Sequence, residues 1–235
     1  MPDERTSLAT PTPAASDAPS AGPAAVLWDM DGTLVDTEPF WIRAETELVT
    51  THGGTWTQAD ALALVGSDLL DAAGYIRRVG GVDLEPVEIV KLMMERVIEQ
   101  MADDPPWQAG ALDLLAALRA EAIPCVLVTM SWRRLAGAVV DMLPPGTFAG
   151  VVAGDEVTRG KPHPDPYLAA ARSIGADPAA CIAIEDSPTG AASARAAGCH
   201  VLGVPHVVDV PPHLVDTLVT SLSDVDVAAL RRMLA

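Results

Sequence analysis

The stretch AVLWDMDGTLVDTEP, residues 25–39, carries the clearest structural signal in the chain. Its apolar start predicts a buried strand, which ends on Asp29 and Asp31, two aspartates one residue apart. Side chains two residues apart in an extended segment point to the same side, so both carboxylates are expected to face a cleft, with Met30 pointing away. Because burying neighbouring carboxylates is unfavourable unless a cation or hydrogen bonds compensate, this strand end is a candidate functional site.

Beyond residue 105 the chain alternates between apolar strands and helical patterns. Four apolar runs predict the later strands: IPCVLVT, GVVAG, ACIAIE and HVLGV. Strands that are apolar throughout and separated by helices are typical of a parallel sheet covered on both faces. We therefore predict a doubly wound α/β core whose ligands bind at the carboxyl ends of its strands. Residues 210–235 are expected to add one or two peripheral helices.

A block with helical patterns only follows the first strand. It predicts four helices in residues 37–104 and ends at the break DDPP. Since no strand pattern interrupts it, we predict a small all-helical cap domain inserted after strand one, with residues 24–36 and 105–235 forming the core domain. Residues 1–23, rich in Pro, Ala, Ser and Thr, predict a flexible N-terminal tail.

Composition restricts the class of partner. The 235-residue chain has a formal net charge of −17 at pH 7, and such a chain repels nucleic acid and anionic membranes. No apolar run reaches the roughly 18 residues needed to span a bilayer, so we expect neither nucleic acid nor membrane as a partner. The cysteines form no C-x-x-C pair, which predicts reduced, buried thiols in a cytoplasmic protein: Cys125, Cys181 and Cys199. The chain is expected to be a monomer or a homodimer.

Polar residues follow the ends of other predicted strands as well. They lie at and after the ends of IPCVLVT and ACIAIE and in the loop after GVVAG: Thr129, Ser131, Lys161, Glu185 and Asp186. Because the carboxyl ends of parallel strands meet at one edge of a sheet, these side chains are expected to lie near Asp29 and Asp31. Clustered carboxylate oxygens suit Mg²⁺, while the hydroxyls, the rare lysine and the helix N-termini suit a phosphate group. The pattern predicts a site for Mg²⁺ and a small phosphorylated metabolite.

Four segments resemble a known family, in order along the chain: DMDGTLVD (29–36), VLVTMS (126–131), GKPHPDPY (160–167) and IEDSPTGAASARAAG (184–198). They are similar to the four sequence motifs of the haloacid dehalogenase-like (HAD) hydrolases. The closest likeness is to the subfamily with a small helical cap after strand one, which includes β-phosphoglucomutase-like enzymes and sugar-phosphate and phosphoglycolate phosphatases. The resemblance covers about residues 24–205 and implies a Rossmann-like core with Mg²⁺-dependent phosphomonoester hydrolase activity.

The resemblance implies a role for each matched residue. Asp29 would take the phosphoryl group as an aspartyl-phosphate, and Asp31 would protonate the leaving alcohol and then activate water. Thr129 would bind the transferring phosphoryl oxygens, and Lys161 would stabilise their charge. Further contacts to the phosphate or the substrate would come from Gly32, Glu38, Met130 and Ser131. Methionine at position 130 departs from the family, which often has a small or polar residue there, and is expected to affect substrate choice.

The resemblance also implies a metal site. Mg²⁺ would be bound by a carboxylate oxygen of Asp29, the backbone carbonyl of Asp31 and the carboxylate of Asp186. Glu185 would act through a water molecule or from behind these ligands. All of these groups present oxygen, the ligand atom that Mg²⁺ prefers.

The resemblance leaves alternatives open for the reaction. A β-phosphoglucomutase-type phosphomutase needs the same core residues and also a second phosphate clamp in the cap, for which Arg77 and Arg78 are weak candidates. A phosphoacceptor signalling module also combines acidic residues, Thr or Ser and Lys, but the D-x-D at strand one and the helical insert argue against it. A catalytically silent binding module is disfavoured because the catalytic and metal-binding positions are intact. The preferred function is hydrolysis of a small phosphorylated metabolite such as a sugar phosphate.

Overall fold

In the computed structural model, one six-stranded parallel sheet forms the centre of the fold. The structure describes residues 22–64 and 67–234. The strands are β1 (Ala25–Trp28), β2 (Cys125–Val128), β3 (Gly150–Val152), β4 (Cys181–Glu185), β5 (His200–Gly203) and β6 (Thr217–Leu218). Their order across the sheet is β3-β2-β1-β4-β5-β6, which places β1 in the middle. The predicted doubly wound α/β fold is confirmed.

Both faces of the sheet are covered by helices, which explains why the strands are apolar throughout. In β1, Val26 and Trp28 face one apolar cluster, while Ala25 and Leu27 face another on the opposite side. Helices α5 (Ala111–Ala120), α6 (Arg133–Asp141) and α9 (Val227–Met233) contribute to the first cluster. Helices α7 (Asp165–Ser173) and α8 (Pro188–Ala196) contribute to the second. The carboxyl ends of the central strands are left open at one edge.

The all-helical insert follows β1, as predicted. Its helices are α1 (Glu38–Thr51), α2 (Gln58–Leu62), α3 (Leu69–Val79) and α4 (Pro86–Met101). Helix α4 begins with a proline and buries one stripe of side chains: Ile89, Val90, Met93, Met94, Val97 and Met101. That stripe packs against α1 and α3, so α4 is the centre of the cap. The domain limits at residues 36–37 and 104–105 stay a prediction, and residues 1–21 of the predicted tail lie outside the described residues.

The C-terminal segment differs in part from the prediction of one or two helices. Helix α9 is present, but Thr217–Leu218 pairs with β5 as the sixth strand. A two-residue strand is too short to produce a periodic sequence signal, and it forms because β5 leaves an edge that needs hydrogen-bond partners. Single turns of 3₁₀-helix lie at Gly154–Glu156, Pro178–Ala180, Pro212–Leu214 and Leu222–Asp224.

Two further predictions concern the cysteines and the membrane. All three cysteines are free and buried, as expected: Cys125, Cys181 and Cys199. Burial raises the pKa of each thiol, so the thiols stay protonated and are poor nucleophiles. In the part of the chain that the structure describes, no helix combines the length and the apolar character needed to cross a membrane.

Candidate active site

A buried lysine joins the ends of two neighbouring strands. Strands β1 and β4 pair directly, so Asp29, which follows β1, lies beside Glu185, which ends β4. Lys161 Nζ lies 2.6 Å from Asp29 Oδ1 and 2.6 Å from Glu185 Oε1, and it also donates to the carbonyl of Val128 at 2.9 Å. Burial opposes a charge on Lys161, but the two carboxylates outweigh it and raise its pKa. The ammonium therefore stays charged inside the site.

Asp31 lies in a different environment, although it is only two residues from Asp29. Its Oδ1 accepts a hydrogen bond from Thr37 Oγ1 at 2.6 Å. Its Oδ2 accepts from Thr129 Oγ1 at 3.0 Å and from Ser131 Oγ at 2.9 Å. Burial raises the pKa of Asp31, the hydrogen bond from Thr37 opposes this rise, and the charge of Asp29 adds to it. The net shift is upward, so Asp31 retains a proton to higher pH than an ordinary aspartate.

The hydroxyl side chains expected near Asp31 do lie there, and they bind its carboxylate. Thr129 is fully buried, and its hydroxyl and that of Ser131 donate to Asp31 rather than into open space. Thr37 occupies the N-cap position of α1, but it makes no side-chain capping hydrogen bond and donates to Asp31 instead. The hydroxyls thus orient Asp31, and a direct contact from Thr129 or Ser131 to a phosphate stays a prediction.

A cluster of three carboxylates lies beside this network. Asp29, Glu185 and Asp186 each offer one carboxylate oxygen, and these three oxygens lie within 4.8 Å of one another. Burial, together with the charges of Asp29 and Glu185, raises the pKa of Asp186, so Lys161 alone does not compensate this crowding. A Cβ on Gly32, whose φ is +84°, would collide with the Asp186 carboxylate. A crowded set of hard oxygen ligands that lacks positive charge fits Mg²⁺.

Glu185 is held by two side chains for which the sequence predicted no role, Tyr167 and Ser187. Tyr167 Oη donates to Glu185 Oε1 at 2.5 Å, and Ser187 Oγ donates to Glu185 Oε2 at 3.2 Å. Ser187 is the N-cap of α8, and its Oγ also accepts from the N–H of Gly190 in the first turn of that helix. A Cβ on Gly190 would collide with the Glu185 carboxylate. The tyrosine ends the segment GKPHPDPY, but no pattern in one sequence reports that its hydroxyl reaches the next strand.

Met130 contributes to the same network through its sulfur. The backbone N–H of Lys161 lies 3.2 Å from Met130 Sδ, within reach of a hydrogen bond. The thioether lines the cavity described below and lies against the loop that carries the lysine. Met130 therefore positions the lysine loop in addition to forming part of the cavity wall.

A cavity of about 510 Å³ lies between the sheet edge and the helical insert. Its base contains Asp29, Asp31, Lys161 and Asp186. Three residues of α1 line its other side at a spacing that places them on one helix face: Glu38, Trp41 and Glu45. The start of α3, the segment before it and the loop after β5 complete the lining, with residues that include Leu64, Asp68, Leu69 and His206. This volume is in the range of small-molecule sites.

Lysine and arginine are confined to the base of this cavity. Among the lining residues that the structure describes, Lys161 is the one lysine or arginine. Arg77 and Arg78 are the weak candidates for a second phosphate clamp. Arg77 pairs with Glu85 at 3.1 Å, and Arg78 lies over the ring of Tyr75. Neither arginine lines the cavity.

Comparison with known proteins identifies the family. A model described as haloacid dehalogenase-like hydrolase matches residues 23–198. The chain belongs to this family. The resemblance seen in the four sequence segments is therefore confirmed, and the match covers almost the same range.

Individual relatives place the chain within the HAD hydrolases more closely. It is 31% identical over 206 residues to hexitol phosphatase A of Escherichia coli (strain K12), covering 86% of this chain and 92% of that protein. The crystal structure of CbbY from Rhodobacter sphaeroides in complex with phosphate has a TM-score of 0.78 at 26% identity, covering 86% of this chain and 96% of that one. The β-phosphoglucomutase of Clostridium difficile has a TM-score of 0.75 at 19% identity, covering 90% and 96%, and shares the fold.

Proposed function

We propose that the chain is a Mg²⁺-dependent phosphomonoester hydrolase that acts on a small sugar or sugar-alcohol phosphate through an aspartyl-phosphate on Asp29. One observation carries this proposal: the two carboxyl groups at the end of β1 have different environments. Asp29 is paired with the ammonium of Lys161, whereas Asp31 accepts three hydrogen bonds from hydroxyls and has a raised pKa. One carboxyl group paired with an ammonium and a second one held by hydroxyls, with a raised pKa, fit a nucleophile and a general acid.

The first half-reaction transfers the phosphoryl group to the enzyme. A carboxylate oxygen of Asp29 attacks phosphorus while the bond from phosphorus to the substrate oxygen breaks. Asp31 gives its proton to that departing oxygen, which leaves as the alcohol. The ammonium of Lys161, 2.6 Å from Asp29 Oδ1, stabilises the negative charge gathered on the phosphoryl oxygens.

The second half-reaction releases phosphate. Asp31, now ionised, takes a proton from a water molecule, whose oxygen attacks phosphorus. The bond between phosphorus and the Asp29 oxygen breaks, which regenerates the Asp29 carboxylate and frees inorganic phosphate. The hydrogen bonds from Thr37, Thr129 and Ser131 keep the Asp31 carboxyl oriented through both steps.

The crowded carboxylates would hold Mg²⁺. Asp29 and Asp186 are the proposed direct ligands, with the backbone carbonyl of Asp31, and Glu185 supports them from behind. When bound, the ion would neutralise charge on the phosphate oxygens and on the surrounding carboxylates. Glu185 itself is fixed by Lys161 and Tyr167, both of which bind its Oε1.

The cavity and the relatives support the proposed substrate class. The cavity is large enough for a small phosphorylated sugar, and a relative that aligns with 86% of the chain is named as a hexitol phosphatase. A phosphomutase needs a second phosphate clamp, and the described lining residues offer no second lysine or arginine for it. Cytoplasmic location and a monomeric or homodimeric state belong to the same proposal.

A panel of phosphorylated sugars and sugar alcohols, each assayed with Mg²⁺ and with a chelator, tests this function. We expect release of inorganic phosphate that requires Mg²⁺ and returns when the ion is restored. Hydrolysis that is unaffected by the chelator, or no hydrolysis of any phosphomonoester, would contradict the proposal. Conversion of β-glucose 1-phosphate into glucose 6-phosphate without release of phosphate would establish the mutase instead.

A further inference from the structure

The cap side of the cavity is acidic. Glu45, on α1, is 5% exposed and lines the cavity. Its Oε2 accepts a hydrogen bond from Trp56 Nε1 at 3.2 Å. Burial raises the pKa of Glu45 to about 8, the hydrogen bond from Trp56 opposes the rise, and the charge of Glu38 adds to it. A buried carboxyl in the wall of a substrate cavity is unfavourable for folding, which suggests a role in binding.

The charged cap residues that line the cavity together with Glu45 share its sign. Glu38 and Asp68 line the same half of the cavity, and with Glu45 they form what we call the acidic wall. Lys161 lies at the base, where it is already paired with carboxylates, and His206 lines the side formed by the loop after β5. A second anionic group on a ligand would therefore lose its hydration at the acidic wall without meeting a lysine or arginine there.

Neutral hydroxyl groups, unlike anionic groups, can bind favourably at the same wall. A carboxyl oxygen accepts a hydrogen bond from a hydroxyl whether or not the acid is ionised. We propose that Glu45 is a specificity residue that accepts hydrogen bonds from hydroxyls at the non-phosphate end of the substrate, so that the cavity selects polyhydroxylated monophosphates and rejects those with a second anionic group. This inference rests on the proposed function for the placement of the phosphate at the base.

The chain offers a matched control on the same helix. Helix α4 packs against α1, and its contribution to the cavity is Met93, while its Arg96 pairs with Glu47 outside the cavity. Glu47 is 44% exposed at its side chain. Glu45→Gln keeps an oxygen for the indole N–H of Trp56 and removes the acid, whereas Glu47→Gln makes the same chemical change away from the cavity.

Two ligands with the same carbon chain and the same phosphate measure the contribution of the acidic wall to binding. D-Glucitol 6-phosphate ends in a hydroxymethyl group, and 6-phosphogluconate ends in a carboxylate. Their dissociation constants are measured by calorimetry, in the presence of Mg²⁺, on the full chain with Asp29→Asn, which slows turnover. Both ligands carry the same phosphate end. The ionisation of the phosphate and of the residues at the cavity base therefore affects both dissociation constants equally and cancels in their ratio.

We expect glucitol 6-phosphate to bind more tightly by about tenfold or more, and the ratio to widen between about pH 6.5 and about pH 9 as Glu45 ionises. Adding Glu45→Gln should reduce the ratio at the higher pH by about tenfold and make it insensitive to pH, while adding Glu47→Gln should leave both features unchanged.

Three outcomes would overturn the inference. They are an unchanged ratio and pH dependence after Glu45→Gln, tighter binding of 6-phosphogluconate than of glucitol 6-phosphate, and no binding of either ligand at millimolar concentration. Phosphate release by the unmodified chain is measured separately. Hydrolysis without an effect of Glu45 would refute this inference alone, whereas an effect of Glu45 on binding without hydrolysis would refute the proposed function alone.

Discussion

The base of the cavity and its acidic wall differ in how their charges are compensated. At the base, the ammonium of Lys161 lies 2.6 Å from each of two carboxylates, and Asp31 is held by three hydroxyls. At the wall, Glu45 accepts one hydrogen bond from an indole and lies on the same helix as Glu38, another acid whose charge acts on it. In the proposed function, the base binds and transfers a phosphoryl group. In the further inference, the wall contacts the rest of the substrate and repels a second anion.

Replacing the lysine of the base should have the largest effect in this comparison. Lys161→Met removes the counter-charge of Asp29 and Glu185, and breaking such a buried pair costs about 3–5 kcal/mol of unfolding free energy. Loss of one charge-stabilising donor lowers kcat by about 10²–10³-fold. Phosphate release and urea unfolding measure both effects. Lys91→Met, at the other and exposed lysine, should change neither, and a loss of activity equal to that of Lys161→Met would refute this role.

A substitution next to Glu185 should disturb the base of the cavity less than the loss of Lys161. In Gly190→Ala the new Cβ collides with the Glu185 carboxylate, which must move away from Lys161. We expect a destabilisation of about 1–3 kcal/mol and a fall in kcat of about tenfold or more. Gly137→Ala, in helix α6 with no atom within 4 Å of its Cβ, should instead stabilise by about 0.5–1 kcal/mol and keep full activity. Equal behaviour of the two variants in thermal unfolding and turnover would contradict the account.

The smallest expected effect is that of Glu45, in the acidic wall, on how the free energy of unfolding depends on pH. Burial raises the pKa of Glu45 from 4.5 to about 8, so the folded state keeps a proton that the unfolded state has lost. The contribution of this group to the free energy of unfolding therefore falls as pH rises from about 4.5 to about 8, by a few kcal/mol at most. Urea unfolding of Glu45→Gln should show a weaker decline over this range.

Glu47→Gln should change the pH dependence of the free energy of unfolding in the opposite direction. The hydrogen bond from Arg96 lowers the pKa of Glu47, so its ionised form contributes stability that is lost as pH falls through its folded-state pKa. Because Glu47 is exposed, the change should be small. If Glu45→Gln and Glu47→Gln altered the pH dependence of unfolding in the same direction, Glu45 would not be the buried acid described here.

The sequence predicted the base far better than the wall. Strands that are apolar on both faces, each followed by polar residues, locate Asp29, Asp31, Lys161, Glu185 and Asp186 at one sheet edge. Such a pattern is local, and the topology of a parallel sheet then brings the strand ends together. The short strand β6 escaped prediction because two residues carry no periodic signal.

The wall depends on contacts that no local pattern reports. Glu45 lies on an ordinary amphipathic helix, and it faces the substrate cavity because of how α1 packs over the sheet edge. The same holds for Tyr167, whose hydroxyl binds Glu185, and for Thr37, which binds Asp31 instead of capping a helix. Each of these side chains takes a partner from a distant segment, or a different local partner from the one its position suggests.

The most direct test of the central claim compares phosphate release by Asp29→Asn with that of Asp141→Asn, which makes the same change at an exposed position on α6. The amide cannot form the aspartyl-phosphate, so we expect Asp29→Asn to fold, as judged by circular dichroism, and to lose at least about 10³-fold in Mg²⁺-dependent turnover. Asp141→Asn should retain full activity. Undiminished Mg²⁺-dependent phosphate release by the folded Asp29→Asn protein would contradict the account.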